Sequence, residues 1–575
     1  MPTVAETIVS SLVRLGVKTV WGVVGDALNP ITDAIRTTEG IDWIGVRHEE
    51  AGAFAAGAQA QLSGTLGVCM GTVGPGSVHL LNGLYDAKKS HAPVLAICGQ
   101  VPSAEMHSEY FQEVDNDLLF ADVATFRATV TSGAQMPRLL EQAVNAAFSR
   151  PGVAVLTVPG DLGEQEVSAA HEPRFVVRQP VLHPDPRSLD EAARLIDEAS
   201  RVTILAGIGA AGARAELLDL AGRLKAPMVL TLKAKAVLEE DNPFEIGQSG
   251  LIGNPATKTA FDGADLLLMV GTDFPYPEWL PQGTPTVQLD RRAAHIGRRT
   301  PVDVGLVADA GVGLRALLRQ VVAKDDGSHL DKARSEYQTW RDRQLGLVGD
   351  GADQQPSLTS RVIAKVRGVG ENPRDLIRPE RLAALVDAAA ADDAVFTADT
   401  GMATVWLSRF VRMRGSRRLV GSFNLGSMAN AMPQALGAAA LDRGRQVVAF
   451  CGDGGLTMLL GDLITAVEQQ LPVKLVVFDN GRLGMVKLEQ EQVGQPEFGT
   501  TLHNPDLAGV ARAIGLQAWR VEDDDALADA VAQALATPGP VLLDVVTNPD
   551  EVALPPHATP DQAWGFAIAK IKETL

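Results

Sequence analysis

Cysteine is scarce in this chain of 575 residues: only Cys69, Cys98 and Cys451 occur, each within or at the end of an apolar run and none in a paired spacing. A disulfide framework is thereby excluded, and buried free thiols in a reducing compartment are the simplest account. Basic charge is also in short supply, 51 Lys and Arg standing against 70 Asp and Glu for a formal net charge of −19. Such a balance argues against a nucleic-acid surface and gives no basic patch for a membrane. No apolar run reaches spanning length, and the amphipathic opening residues 1–17 have neither a basic leader nor a cleavage site. The expected location is cytoplasmic, with membrane contact at most peripheral at the inner face. Hydrophobic residues, at 46% against 21% charged, are what the chain has in quantity. They suffice for several large cores, and the length accommodates about three or four domains of ordinary size.

Three blocks alternate strand-like and helix-like patterns. The first, residues 1–172, has apolar strand runs near 19–24, 67–69, 94–98 and 154–158; a polar, proline-bearing stretch, 173–187, reads as a linker. The second block is 188–345, followed by a linker, 346–379, rich in Gly, Asp, Pro and Gln, within which 359–366 carries a short helical pattern. The third block is 380–546, with a tail at 547–575. Strands alternating with helices predict an α/β fold of three doubly wound parallel-sheet domains. Blocks one and three match in length and pattern, which predicts a related pair flanking a different middle domain.

In the third block, residues 447–451 form an apolar run without alternation, the pattern of a parallel strand buried on both faces. Gly452-Asp453-Gly454-Gly455 follows, and Leu456, Leu459, Leu460, Ile464 and Val467 then recur at helical steps, predicting a helix over 456–471 closed by Pro472. Residues 473–478 are the next buried strand, ending before Asn480. A right-handed crossover returns that strand parallel to the first, so Asp453 and Asn480 share one edge of the sheet. Oxygen ligands from an Asp and an Asn suit Mg²⁺, which completes its octahedron with phosphate oxygens and water. Gly454 and Gly455 let the backbone approach those phosphates, and the helix amino terminus favours negative charge. No Lys-Ser or Lys-Thr pair follows, which excludes the nucleoside triphosphate loop. An Asp-Gly pair alone is far more often a tight turn than a ligand. The flanking strand and helix and the matching Asn carry the metal-diphosphate reading.

The element from Gly452-Asp453-Gly454 to Asn480 resembles the signature of thiamine diphosphate enzymes. The resemblance implies that Asp453, Asn480 and the carbonyl of Arg482 hold Mg²⁺, with Asp479 where the family often has a second Asn. Arg47-His48-Glu49-Glu50 is similar to the family's His-Glu element and places Glu49 on the catalytic glutamate, which hydrogen-bonds the cofactor's aminopyrimidine and promotes deprotonation of the thiazolium. Glu50 and His48 are the competing choices; without the resemblance, a Glu here reads as a charge at a helix start. Gly74-Pro75-Gly76 and Tyr110-Phe111-Gln112-Glu113 resemble the loops of the catalytic cleft, which implies catalytic positions for Phe111 and Gln112. Asp399-Thr400-Gly401-Met402 and the stretch Gly421-Ser422-Phe423-Asn424-Leu425-Gly426-Ser427-Met428 resemble the segments that bind pyrimidine and thiazolium. Met428 falls on the apolar wedge that bends the cofactor; outside this match it would be gap-filling core.

The middle block has Gly207-Ile208-Gly209-Ala210-Ala211-Gly212 directly after the strand run 202–206. It is a correctly placed GxGxxG, whose glycines allow a tight turn and close approach to a pyrophosphate. The next strand, 227–232, ends at Lys233 and not in the acid that would hold an NAD ribose, so NAD is the poorer candidate. The block resembles the FAD domain of the pyruvate oxidase group. Gly207, Gly209, Gly250, Leu251, Ile252, Gly253, Thr272, Asp273, Phe274, Pro275, Tyr276, Asp290 and Asp309 fall on its flavin-contacting segments. Asp290, after the run 286–289, is placed to accept from ribose or adenine groups.

Taken over the whole chain, the resemblance is to the pyruvate oxidase and quinone-dependent pyruvate dehydrogenase group. It implies thiamine diphosphate, Mg²⁺ and FAD as cofactors, and pyruvate or a similar 2-oxo acid as substrate. Pyruvate loses carbon dioxide on the thiazolium, two electrons pass to FAD, water releases acetate, and a quinone or O₂ reoxidises the flavin. It further implies a homotetramer with active sites at a dimer interface, Glu49 of one subunit facing Asp453 of another. Two enzymatic rivals share these residues: an acetolactate synthase-like carboligase with structural FAD, and a phosphate-dependent oxidase using O₂. A non-catalytic nucleotide-binding subunit would need no activating Glu49. Membrane-recruited relatives carry a further amphipathic segment at the carboxyl end; here residues 566–575 read as a short mixed helix, a packed tail in preference to a lipid anchor.

Overall fold

A computed structural model describes residues 1–167, 173–348 and 376–551. The helical patterns expected at 359–366 and 566–575 lie outside the described residues. The first sheet comprises β1 (Thr19–Gly22), β2 (Asp42–Gly45), β3 (Gly67–Gly71), β4 (Val94–Gln100), β5 (Ala124–Thr129) and β6 (Val153–Pro159). The middle sheet comprises β7 (Val202–Ala206), β8 (Met228–Leu230), β9 (Glu245–Gln248), β10 (Leu266–Val270), β11 (Thr286–Asp290) and β12 (Val304–Val307). The third comprises β13 (Val395–Ala398), β14 (Arg418–Gly421), β15 (Val447–Gly452), β16 (Val473–Asp479), β17 (Gln517–Val521) and β18 (Val541–Val546). All three sheets are six-stranded with parallel pairings and helices between strands, so the expected α/β class holds.

Strand order separates the domains into two kinds. The first runs β2-β1-β3-β4-β6-β5 and the third β14-β13-β15-β16-β18-β17, the same order counted from each domain's own first strand. The middle sheet, read β9-β8-β7-β10-β11-β12, is the doubly wound dinucleotide-binding order. In each sheet the order reverses at one place, β1/β3, β7/β10 and β13/β15, and the strand ends open a crevice there. The three cysteines are free and buried, as their apolar settings require, and burial pushes the Cys98 thiol up to about 12. Among the described residues no helix is long and apolar enough to cross a membrane.

The first and third domains share one apolar core. The helix Glu49–Ser63, which follows β2, packs on the helix Ala431–Leu441, which follows β14, and buried residues of both domains form a continuous cluster. The approach is close because Gly437 has no side chain: a Cβ there would lie 2.3 Å from the Ala55 carbonyl oxygen. Phe54, fully buried beside it, contributes about 1.5–3 kcal/mol by leaving water.

Two local expectations are corrected. The helix expected over 456–471 is broken into Asp453–Met458, a 3₁₀ turn Leu460–Asp462 and Leu463–Glu468. Its interruption lets the Asp462 carboxylate accept from the Arg47 backbone N–H at 2.7 Å, so packing between domains overrides helical periodicity. Likewise, β8 stops at Leu230 and Thr231 begins the helix Leu232–Leu238, which moves Lys233 from a strand end into the first turn of a helix.

Candidate active site

Asp453 is the first residue of the helix after β15, and it ties two strand ends together. Its Oδ1 accepts from Gly454 N at 2.8 Å, while Oδ2 accepts from Gly481 N at 2.8 Å and Asn504 Nδ2 at 2.7 Å. Asn504 also donates to Asp479 Oδ1 at 2.7 Å, so one amide bridges two acids. Burial, with the Asp479 carboxylate close by, pushes Asp453 up to about 6. A buried acid pair bound to amides and one partly exposed arginine, Arg520, is a donor set that a divalent cation would stabilise. Asn480 Oδ1 accepts from Arg482 N at 3.0 Å across Gly481, whose φ of +61° makes the turn. The Arg482 side chain points away to Glu497.

Asp399, immediately after β13, faces this loop across the β13/β15 reversal. It is 2% exposed, accepts from Ala431 N at 2.9 Å and Gly452 N at 3.1 Å, and is pushed up to about 7 by burial. A Cβ on Gly455 would sit 2.3 Å from Asp399 Oδ2, so glycine is required where the helix opens against the acid. The neighbouring segments converge here. A Cβ on Gly454 would approach Met428 Cε to 3.4 Å, and one on Gly484 would approach Met402 Cγ to 3.1 Å and Asn480 Nδ2 to 3.2 Å. Thr400 and Gly401, the latter at φ +128°, lead into the helix Met402–Phe410; Gly426 turns at φ +80°. Ser427 Oγ accepts from Asn82 Nδ2 of the first domain at 2.8 Å.

Glu49 is the first residue of its helix, 6% exposed, with Oε2 at 2.9 Å from His79 Nδ1. The His48 and His79 rings stack at 4.3 Å, and a Cβ on Gly76 would be 3.1 Å from Glu49 Oε1. The competing residues have other work: His48 caps the helix through Glu50 N, and Glu50 accepts from Asn82. Gln112 turns at φ +66° over Gly74, and Phe111 is 79% exposed beside it. Within one chain, therefore, Glu49 keeps the company of His48, Gly76 and His79, while Asp453 keeps that of Asn480, Asn504 and Met428. His79 and Asn504 were not singled out from sequence. His79 ends the short helix Pro75–His79 and Asn504 lies in a loop, each a lone polar residue with no pattern around it.

At the β7/β10 reversal a cavity of about 390 Å³ opens. Gly207, Gly209, Leu251, Ile252, Thr272, Asp273, Phe274, Pro275, Tyr276, Asp290 and Asp309 line it, joined by Thr400, Gly401 and Gly426 of the third domain and by Ser90 and His91 of the first. Gly250, at φ +89°, and Gly253 shape the turn that presents Leu251 and Ile252. Two amides of the glycine loop are engaged within the protein. Gly207 N donates to Val270 O at 2.9 Å and Gly209 N to Gly271 O at 3.0 Å, and a Cβ on Gly207 would meet Gly271 O at 2.3 Å. These glycines allow two loops to touch. Asp290 accepts from Arg292 N and faces His295, while Asp309 accepts from Leu182 N and pairs with Arg291.

Three crevices, one acid-lined and one continuous with a neighbouring domain, are the layout of a thiamine diphosphate enzyme, and comparison with known families agrees. The thiamine pyrophosphate enzyme N-terminal TPP binding domain matches residues 2–119, the central domain 189–317 and the C-terminal TPP binding domain 399–545. The chain belongs to the thiamine pyrophosphate enzyme family. It is 38% identical to a putative thiamine pyrophosphate-containing protein of Bacillus subtilis, over 99% of this chain and 96% of that one. It is 32% identical to a pyruvate oxidase of Lactiplantibacillus plantarum, over 94% and 88%. A probable acetolactate synthase large subunit of Methanocaldococcus jannaschii is 30% identical over 96% and 93%.

Proposed function

We propose that this enzyme oxidatively decarboxylates pyruvate to acetate with thiamine diphosphate, Mg²⁺ and FAD, and passes the electrons to a quinone. The observation that carries the reading is the continuity of the middle-domain cavity with Thr400, Gly401 and Gly426: a flavin held there borders the segments that would hold the thiazolium. When bound, thiamine diphosphate supplies the electron sink for decarboxylation and FAD the acceptor of two electrons. The chain's own residues bind and orient. Asp453, Asn480 and the Arg482 carbonyl hold the cation, and Gly454 and Gly455 admit the diphosphate. Met428, reaching over Gly454, shapes the cofactor. Glu49, enclosed beside His79, holds a proton against the aminopyrimidine ring. Phe111 and Gln112 cover the substrate from the first domain.

Glu49 and Asp453 occupy separate clusters of one chain, and Phe111 is exposed, which supports an active site completed by a second subunit in a dimer or tetramer. The alternative is an acetolactate synthase-like carboligase, favoured by the methanogen relative, in which FAD is structural; a phosphate-dependent oxidase using O₂ is a third form. Anaerobic addition of pyruvate to protein loaded with the three cofactors separates them. Bleaching of the flavin, with acetate formed once a quinone is added, is expected; acetolactate accumulating over an unbleached flavin would overturn the oxidase reading.

A further inference from the structure

Lys233 reaches into the cavity from the helix after β8. It is enclosed by protein yet keeps part of its surface open to the cavity, and its Nζ donates to Ser90 Oγ of the first domain at 2.9 Å. The acid that acts on it is Asp86, which is 1% exposed and accepts from Gln434 Nε2 at 2.9 Å. Burial pulls Lys233 down to about 8 and pushes Asp86 up to about 6, so both are charged at neutral pH. His91, which also lines the cavity, is held down to about 4 by burial and the nearby cations and is neutral. The cavity's other acids are engaged: Asp273 by Arg298 and Arg299, at 2.7 and 2.9 Å, Asp290 and Asp309 as described above. A desolvated ammonium bonded to a neutral hydroxyl is costly, and an anionic ligand would offset that cost.

We propose that Lys233 is the cation this cavity presents to the ring of reduced FAD, which carries a negative charge at N1 near neutral pH. The inference rests on the flavin reading above and sharpens it. The surroundings of Lys233 favour the ring over the diphosphate. Ser90 belongs to the first domain, and Asp86 is held by Ser422 and Gln434 of the third. This is the side on which Thr400, Gly401 and Gly426 lie. Arg291 and Arg292 stand instead beside Asp290, where the adenosine half is expected. Lys233 is a positioning charge: it selects the reduced state of the cofactor and takes no part in bond making.

The test is a spectroelectrochemical titration of the FAD-loaded protein without substrate, for wild type, Lys233→Met and Lys233→Arg. Lys233→Met is expected to weaken binding of reduced relative to oxidised flavin at least tenfold, a drop of about 30 mV for two electrons. Lys233→Arg is expected to restore most of it, and affinity for oxidised FAD to stay within about threefold. An unmoved potential overturns the proposal, including the case where both affinities fall together, which would make Lys233 a diphosphate contact. Lys233→Gln repeats the comparison should the Met variant not accumulate folded. Wild-type protein that titrates normally yet is not bleached by pyruvate would sink the oxidase reading and leave this proposal standing; protein that takes up no FAD would sink both.

Discussion

The first and third domains have the same strand order and face each other through equivalent helices, yet they carry opposite chemistry. In the third, the reversal between β13 and β15 collects acids, Asp399 and Asp453, and glycines that let a helix open against them. In the first, the equivalent reversal between β1 and β3 collects Gly25 and Thr72 in close packing. Its carboxyl, Glu49, stands one connection away, after β2, where the third domain instead places the Met428 segment after β14. One topology thus offers each crevice the same backbone; side chains at the strand ends decide that one gathers buried acids and glycines and the other does not, and on the function proposed above the first would hold a cation and its diphosphate and Glu49 a single proton.

The sharpest way to break this comparison is to remove the acid from one half and then the other. Asp453→Ala is expected to weaken Mg²⁺-dependent binding of thiamine diphosphate at least about 100-fold, measured by calorimetry, because on the proposed function it would remove a cation ligand. Glu49→Gln should instead slow turnover about 10²- to 10⁴-fold while cofactor affinity stays within about tenfold. Equal affinity losses in both variants would mean that the halves do not divide the labour in this way. Gly437→Val attacks the contact between the two halves: with the Ala55 carbonyl in the way, overpacking should cost about 1–3 kcal/mol and lower the thermal midpoint of both domains together.

A further effect concerns the pH response of the third domain. The folded-state Asp399 carboxyl lies at about 7, above its ordinary value of 3.8. Its contribution to stability is therefore fully present below pH 4 and is lost as pH rises to about 7. In cofactor-free protein the Asp399→Asn variant should show a flatter midpoint-versus-pH curve across that window than wild type, by differential scanning calorimetry.

How far the sequence carried depends on the range of the forces involved. The three sheets and the crossover from 447 to 480, which sets Asp453 and Asn480 beyond neighbouring parallel strand ends, follow from local periodicity and glycine placement, which a linear reading can see. Asp462 breaks its helix for a partner 415 positions away, and no window on the sequence contains both. Asn504 matters through hydrogen bonds to two acids and His79 through one to Glu49, all elsewhere in the chain. The GxGxxG pattern of the middle domain was legible, but the engagement of its Gly207 and Gly209 amides by the end of β10 and the loop after it was not. Whether an amide is free for a phosphate depends on the neighbouring strand's loop, here Gly271.

The close seating of Gly437 on Ala55 also bears on how this chain can be re-engineered. Two sheets held by their own shared core treat the middle domain as an insertion between them, so their mutual fit is a property a protein engineer could keep while exchanging the module they enclose. The grafted piece would have to bring its own answer to Glu239, whose carboxylate accepts from the third-domain Met413 N at 2.8 Å, and to Ser90 where Lys233 now reaches it.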